Sequence, residues 1–570
     1  MKRTLGWRAL LATLFATALL ASACGDSKDT STGSASTTEA SGSSTGAAEG
    51  KDGGTFIDGA QLQADNLTSM DPGLVQTLDE SQVTTAIYDG LTDFDFTNKT
   101  KPILKGLVAE KFEPNADASV WTFTIKKGQE FANGDPVLPS SFKFAWERNA
   151  RASFASPYGY LIDYVKGGAD MQAEGSTVEH LDAIVADDTA MTLTVTLEAP
   201  NADFASIVSH PFFGPLPEKL VKDHMDDWGK QAMIGNGPFK MDAPANDSEV
   251  VLVRNDKWAG NVLGDKKAKL DKIQFKIEKD PDGSYTDFAS GGTMSASIPS
   301  GKYKEAQEKY GNTVKDGVLG VYYFDFGFKN NPQLSDETRD NSKLRQAISL
   351  AIDRESINAR VYEGTRNAKP TGIVMPGIPG FKEGIGKYIK YDPTAAKAKL
   401  AEWKADGGTL DGPITLDFNT GGGHEDVVAI IQQNLKDIGI ESTTNPISEK
   451  YFGTMAKGGC HFCRSGWYAD YPTYGNFMVD LFSEAALGGN NEGSFVAPKF
   501  EEYIAAAQKE TDATKRGEDY NKAEDYLLNT ATAAIPINWY SGDQVYNADK
   551  VVGYDQPPLG IIMWERVALK

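Results

Sequence analysis

The chain has 570 residues, with 79 acidic against 57 basic side chains and a formal net charge of −22. This balance argues against nucleic-acid binding, which needs basic stripes to neutralise phosphates; it suits a soluble extracellular protein and cationic or zwitterionic ligands. A body of this length exceeds one hydrophobic core and is expected to divide into two or three domains.

The first residues read as a targeting segment. Lys2, Arg3 and Arg8 make a positive start, and Ala9 to Leu20 is an apolar run too short to span a bilayer. Leu20-Ala21-Ser22-Ala23-Cys24 then resembles a bacterial lipoprotein signal, although Ala21 stands where leucine is usual. That resemblance implies a signal peptide over residues 1–23, cleavage before Cys24, and a lipid on that cysteine; simple secretion is the alternative. Residues 24–54 are mostly Ser, Thr, Gly and Ala with a few charges, so a disordered tether is expected there.

In the body, Trp121, Phe123 and Ile125 alternate with polar residues, and Met191, Leu193, Val195 and Leu197 alternate with threonines. Both stretches read as half-buried strands. Between them Ser140 is placed to cap a helix carrying Phe144, Ala145 and Trp146. Asp280-Pro281-Asp282-Gly283 begins like a calcium loop, but Gly291 stands where the bidentate glutamate belongs, so it reads as a turn. Ile273, Phe275 and Ile277 predict a further strand, as do Phe324, Phe326 and Phe328.

The second half is richer in helix. Ser342 is placed to cap a helix bearing Leu344, Ala347, Ile348, Ala351 and Ile352 on one face. Asp392-Pro393 starts a helix running through Trp403. Glu425 to Ile438 predicts another, ended by Gly439, and Asp512 caps a last one with Tyr520, Ala523 and Leu527 inward. Strands interleaved with helices in both halves mean an α/β or α+β protein.

Arg464 to Tyr474 is the stretch least easily explained as scaffold. It holds a cation, a carboxylate at Asp470, four large aromatics, a glycine that admits close backbone approach and a proline that ends regular structure. Aromatic platforms beside isolated opposite charges suit a zwitterionic ligand; a surface loop with an ordinary Arg–Asp pair remains the alternative.

Catalytic signatures are thin. There is no Gly-x-Ser-x-Gly elbow, no His-Glu-x-x-His and no phosphate-cradling loop, and the five histidines do not cluster in sequence. Cys460-His461-Phe462-Cys463 reads as a tight disulfide rather than a zinc or redox site, since no partner ligands or thioredoxin-like pattern accompany it. Neither a metal nor a cofactor is expected.

The order of short motifs is nevertheless distinctive. Ser69-Met70-Asp71-Pro72, Glu80-Ser81, Ile87-Tyr88-Asp89-Gly90-Leu91, Phe131-Ala132-Asn133-Gly134-Asp135, Ala155-Ser156-Pro157-Tyr158, Gly235-Asn236-Gly237-Pro238-Phe239, Leu344-Arg345-Gln346-Ala347 and Arg464 to Tyr471 follow one another along the body. The chain thereby resembles the family 5 extracellular solute-binding proteins, peptide-binding receptors of ABC importers. The resemblance implies an α/β, two-lobed periplasmic-binding-protein (Venus flytrap) fold of the larger three-domain type with mixed β-sheets. Lobe one is expected over 55–95, 213–319 and 541–570, an inserted domain over 96–212, and lobe two over 320–540.

It also implies roles for residues. Asp470 matches the carboxylate that pairs with a peptide's α-ammonium, and Arg464 and His424 match positions that meet a ligand carboxylate. The stretch Val75 to Leu78, including Gln76 and Leu78, and the backbone around Gly466 and Tyr468 resemble edges that hold a peptide as an added strand. Tyr158, Trp467 and Trp539 are candidate pocket walls.

The function so implied is binding, without catalysis: capture of short peptides and delivery to a permease, by a monomer anchored at the outer face of the membrane. A nickel complex or peptide-like signal on the same fold is an alternative ligand. A secreted hydrolase using paired carboxylates is the alternative from another class.

Overall fold

Period-two patterns of apolar residues build the sheets, and the computed structural model shows how they assemble. It describes residues 50–311, 313–314, 317–329, 331–335 and 340–570, which lie within one compact unit, Ala48–Lys570. The expected signal segment, Cys24 and most of the expected tether lie outside the described residues. Its last residues are pinned: Lys51 N–H donates to the Leu569 carbonyl at 2.7 Å and Gly54 N–H to Asp271 at 2.9 Å. Order therefore begins before residue 55. Among the described residues no helix is long and apolar enough to cross a membrane.

Thr55–Gln63 pairs parallel with Lys272–Glu278, which continues antiparallel into Glu249–Arg254 and then Phe239–Met241. The chain's last residues return to this sheet. Trp564 packs its ring against Phe56 and Phe275, with centroids 5.5 and 5.0 Å away, and the Gln82 amide bonds the backbone of Gly560 and Ile562. A second, wholly antiparallel sheet runs Ala109–Pro114, Val120–Ile125, Thr192–Thr196, Ile184–Asp187. Trp121, Phe123 and Ile125 are its buried row, as their alternation predicts.

The largest sheet is mixed, in the order Ser442–Ile447, Ile414–Asn419, Phe462–Tyr468, Gly317–Phe326, Ala534–Ser541. Its strand Gly317–Phe326 is buried on both faces. Tyr322, Phe324 and Phe326 pack with Leu344, Ile348, Trp403 and Ile431, while Val321 and Tyr323 join Phe477, Tyr520 and Leu527. Helices on both sides of a sheet leave no solvent face, so the Phe324/Phe326 alternation marks a doubly buried strand. Phe328 lies past its end.

Helix starts follow capping chemistry, with three corrections, and one strand starts later than expected. Asp392 and Asp512 cap as expected, their carboxylates accepting from Ala395 and from Thr514 and Lys515. Ser140 does not cap: Pro139 already occupies the first turn of Pro139–Asn149, and Ser140 bonds Asp188 instead. Ser342 sits inside the first turn of Ser342–Ala351, its N–H held by Asp340. Asp280 caps a helix, Pro281–Ser290, which Gly291 ends at φ +86°, so the expected turn is the start of a helix. Met191, at φ +59°, belongs to the turn before its strand.

Two buried clusters explain motifs of the first part. Glu80, fully buried, accepts from the backbone N–H groups of Thr68, Ser69, Gln76 and Thr77, and Thr77 caps the helix Leu78–Ile87 in return. Asp71 receives two guanidinium N–H groups of Arg148, at 2.9 and 2.5 Å, in a pair with side-chain exposures of 1% and 0%.

Buried carboxyls also set how stability responds to pH. Burial pushes Asp58 and Asp79 up to about 6, Asp93 and Glu524 up to about 7, and Glu492 up to about 8. Folded, these groups keep protons that the unfolded chain loses near pH ~4. Their contribution is therefore full below that pH and lost as pH rises through about 6 to 8. Burial pushes His210 down to about 3, which opposes the trend only below about pH 6.5. The melting temperature is expected to be higher at about pH 5 than at about pH 8; the reverse order contradicts this reading.

Candidate ligand-binding site

The strand Phe462–Tyr468 leaves part of one edge open. It pairs with Gly317–Phe326 from Phe326↔Phe462 to Gly320↔Tyr468, but meets Ile414–Asn419 only at Leu416↔Phe462 and Asp417↔Cys463. On that second side the Arg464 carbonyl accepts from Tyr451 Oη at 2.7 Å. Backbone polar groups alternate between the two edges of a strand, so those of Gly466 and Tyr468 also face the open side. A Cβ on Gly466 would lie 2.3 Å from Tyr540 Oη, so glycine here lets Tyr540 stack on Tyr468 with ring centroids 4.6 Å apart.

This edge walls a cavity of about 820 Å³, inside the range of roughly 300–1,000 Å³ usual for small-molecule sites. Arg464, Gly466, Trp467, Tyr468 and Asp470 line it together, and Gln76, Leu78 and Tyr158 join them from the first half of the chain. Val75 to Leu78 is not a strand edge, however. The N–H groups of Gln76 and Thr77 are spent on Glu80, and Leu78 begins a helix.

Among the described residues no cation joins the network around Asp470. Its carboxylate accepts from Tyr160 Oη at 2.6 Å, Tyr158 Oη at 3.1 Å and Asn476 Nδ2 at 3.3 Å. Asn476, fully buried, also accepts from the Asp470 N–H and the Trp467 indole N–H, each at 3.0 Å, and donates to Asp480 at 3.0 Å. Asp480 in turn accepts from Tyr164 at 2.5 Å and from Tyr471. Burial pushes Asp470 up to about 7, and the Tyr160, Asn476 and Tyr158 hydrogen bonds pull it part of the way back. Its carboxylate is therefore poised: a cation arriving beside it would draw off the proton and form a desolvated charge pair.

The ordinary Arg464–Asp470 pair is not made. The Arg464 guanidinium stands over the Tyr322 ring at 4.9 Å and the Phe452 ring at 5.8 Å, and reaches Asn419 Oδ1 at 3.3 Å. Its Nε is buried without a hydrogen-bond partner. His424 is set behind the wall, bonded to Tyr322 Oη at 3.0 Å. Burial, with the Arg464 and Arg366 charges, pushes it down to about 3, so it is neutral and offers no positive charge to a carboxylate. Trp539 is also off the cavity, its indole N–H donating to the Gly372 carbonyl at 3.2 Å.

Cys460 and Cys463 are joined by a disulfide with Cα atoms 5.3 Å apart, at the start of the strand that carries Arg464. Sequence reasoning missed Tyr160, Tyr164, Asn476 and Asp480. The available signal was the Tyr158/Tyr160/Tyr164 spacing and an amide six residues past Asp470; neither says what it touches.

The pattern for bacterial extracellular solute-binding proteins, family 5 (middle part), matches residues 104–489. The dipeptide-binding protein DppE of Bacillus subtilis is 28% identical over 509 residues, covering 87% of this chain and 89% of that one. The periplasmic oligopeptide-binding protein OppA of Salmonella typhimurium is 26% identical, covering 83% and 85%. The crystal structure of Haemophilus influenzae OppA in complex with RPPGFSPFR shares the fold, with a TM-score of 0.73, 23% identity, and coverage of 91% and 100%. The α/β architecture with its mixed sheets is thus the periplasmic-binding-protein fold, and relatives along the whole body are binding proteins, not hydrolases. The family match spans most of the body, including the open-edged strand and Asp470, and the chain belongs to the bacterial extracellular solute-binding proteins of family 5.

Proposed function

We propose that this chain is the extracytoplasmic receptor of an ABC importer, capturing short peptides in the cavity and delivering them to a permease. The observation that carries this reading is a half-buried carboxylate, Asp470, with no cation paired to it among the described residues, beside an open strand edge inside one cavity. A peptide satisfies both, its backbone extending the sheet and its α-ammonium meeting Asp470. Arg464, with a buried unpartnered Nε, is the residue for a ligand's anionic group. The relatives named for dipeptides and oligopeptides support the same class.

Three parts are assigned as the motif order implies: lobe one from 55–95, 213–319 and 541–570, the insert 96–212, and lobe two 320–540. On that division Tyr158, Tyr160 and Tyr164 reach from the insert to Asp470 and Asp480 in lobe two, and Arg516 reaches Asp203 at 3.1 Å. These contacts belong to a closed state, which ligand stabilises by touching both sides. A lipid at Cys24 holds the receptor, as a monomer, at the membrane's outer face.

Isothermal titration with peptides of two to five residues, free and N-acetylated, tests the reading. One free-amine peptide is expected per chain, with acetylation weakening it at least ~30-fold, the low end of a lost buried charge pair. Affinity indifferent to acetylation would sink the ammonium role.

A further inference from the structure

Next to the disulfide lies a group of side chains that peptide binding does not use. Asp325 and Cys463 are direct cross-strand partners, so their side chains leave the sheet on the same face. The segment around Glu492 packs there: Phe328 N–H donates to the Gly493 carbonyl at 2.7 Å. One ligating atom each of Asp325, Cys463 and Glu492 lie within 4.8 Å of one another, and all three residues are buried. Both carboxyls are costly as they stand. Asp325 is 3% exposed and Glu492 7%, neither has a lysine or arginine within ion-pair distance among the described residues, and Glu492 Oε2 has no hydrogen-bond partner.

We propose that in its dithiol form the chain holds one zinc-class divalent ion on Cys460, Cys463, Asp325 and Glu492. For Asp325, Cys463 and Glu492 a separation of up to 4.8 Å matches donors around one ion, with metal–sulfur and metal–oxygen distances of roughly 2.3 and 2.0–2.2 Å; Cys460, bonded to Cys463 in the disulfide, becomes the fourth donor once that bond is open. Two thiolates and two carboxylates make a four-coordinate set of borderline softness, which suits zinc and cobalt over magnesium or calcium. In the disulfide both sulfurs are spent, so this site belongs to newly made chain before oxidation. No electron transfer is involved: the ion displaces one proton from each thiol and any proton on the two carboxyls. Burial raises both carboxyls, and Arg464, Tyr323 and Tyr451 are the charged or titratable groups facing them. An ion here would relieve the uncompensated pair. It has a way in, because Glu492 lines the ligand cavity. Occupancy would then anchor the base of the open-edged strand as the disulfide does after oxidation.

The test uses the full chain carrying Cys24→Ser, made in a reducing cytoplasm and purified without oxygen, titrated with Co2+ and then Zn2+. The expected result is one Co2+ per chain, a sulfur-to-cobalt charge-transfer band of two thiolates with tetrahedral visible bands, and displacement by Zn2+. The disulfide form shows none of these. Glu492→Gln and Asp325→Asn each weaken Co2+ at least tenfold, with folding of the variants checked by circular dichroism in their disulfide forms, which need no metal. Absence of the band when both thiols titrate as free overturns the proposal, as does an octahedral spectrum. Unchanged affinity in both folded variants overturns it too, since thiols alone would then hold the ion. The wild-type spectrum decides even where a variant fails to fold.

Discussion

Asp470→Asn is expected to lower affinity for a free-amine peptide by about 30-fold to several thousand-fold, the ~2–5 kcal/mol of a buried charge pair that loses one partner. Asparagine keeps the shape and the Tyr158 and Tyr160 contacts can persist, since a phenol both donates and accepts. The fold and the weak affinity for the N-acetylated peptide should therefore stay as they are. That contrast separates loss of a charge from loss of a pocket. With Asp470 pushed up to about 7 by burial, wild-type affinity should also rise from about pH 6 to 7.5 as the carboxylate ionises, accompanied by proton release. Equal affinity of wild type and variant, measured by titration, would remove Asp470 from the site.

Asp71→Asn carries the largest expected cost in stability. Arg148 is fully buried, and among the described residues its partners besides Asp71 are the Met225 carbonyl, Asn149 Oδ1 at 3.3 Å and the Phe154 ring at 4.3 Å. Removing the carboxylate leaves that charge without its counter-ion, a loss of about 3–5 kcal/mol. Urea unfolding should show it, with peptide affinity of the folded variant unchanged, because neither residue lines the cavity. A loss under about 1 kcal/mol would mean that water reaches Arg148.

How much of this was legible follows from sequence distance. Asp392 and Asp512 cap helices within three residues of themselves, and the Trp121/Phe123/Ile125 row needs only its own strand; such features depend on local geometry. Arg464 to Asp470 was visible as a concentration of charge and aromatic surface, and its placement on the cavity follows from a strand edge that runs through it. The partners were not visible. Tyr160 stands 310 positions from Asp470 and Tyr164 316 from Asp480, and no local pattern encodes a contact across two parts of a fold. His424 and Trp539 failed as lining residues for the opposite reason. They lie close to wall residues, but hydrogen bonds to Tyr322 and Gly372 turn them into the structure behind the wall. Ser140 and Ser342 show that a proline or a preceding acid can move a helix start by one or two residues, which pattern alone does not resolve.

The central claim is that the cavity holds peptides through Asp470. Mass spectrometry of what is released on denaturing the purified protein, beside the same preparation of Asp470→Asn, tests it most directly. A set of short peptides with free amino termini from the wild type, absent or greatly reduced from the variant, is the predicted result. One defined non-peptide compound retained equally by both would contradict it.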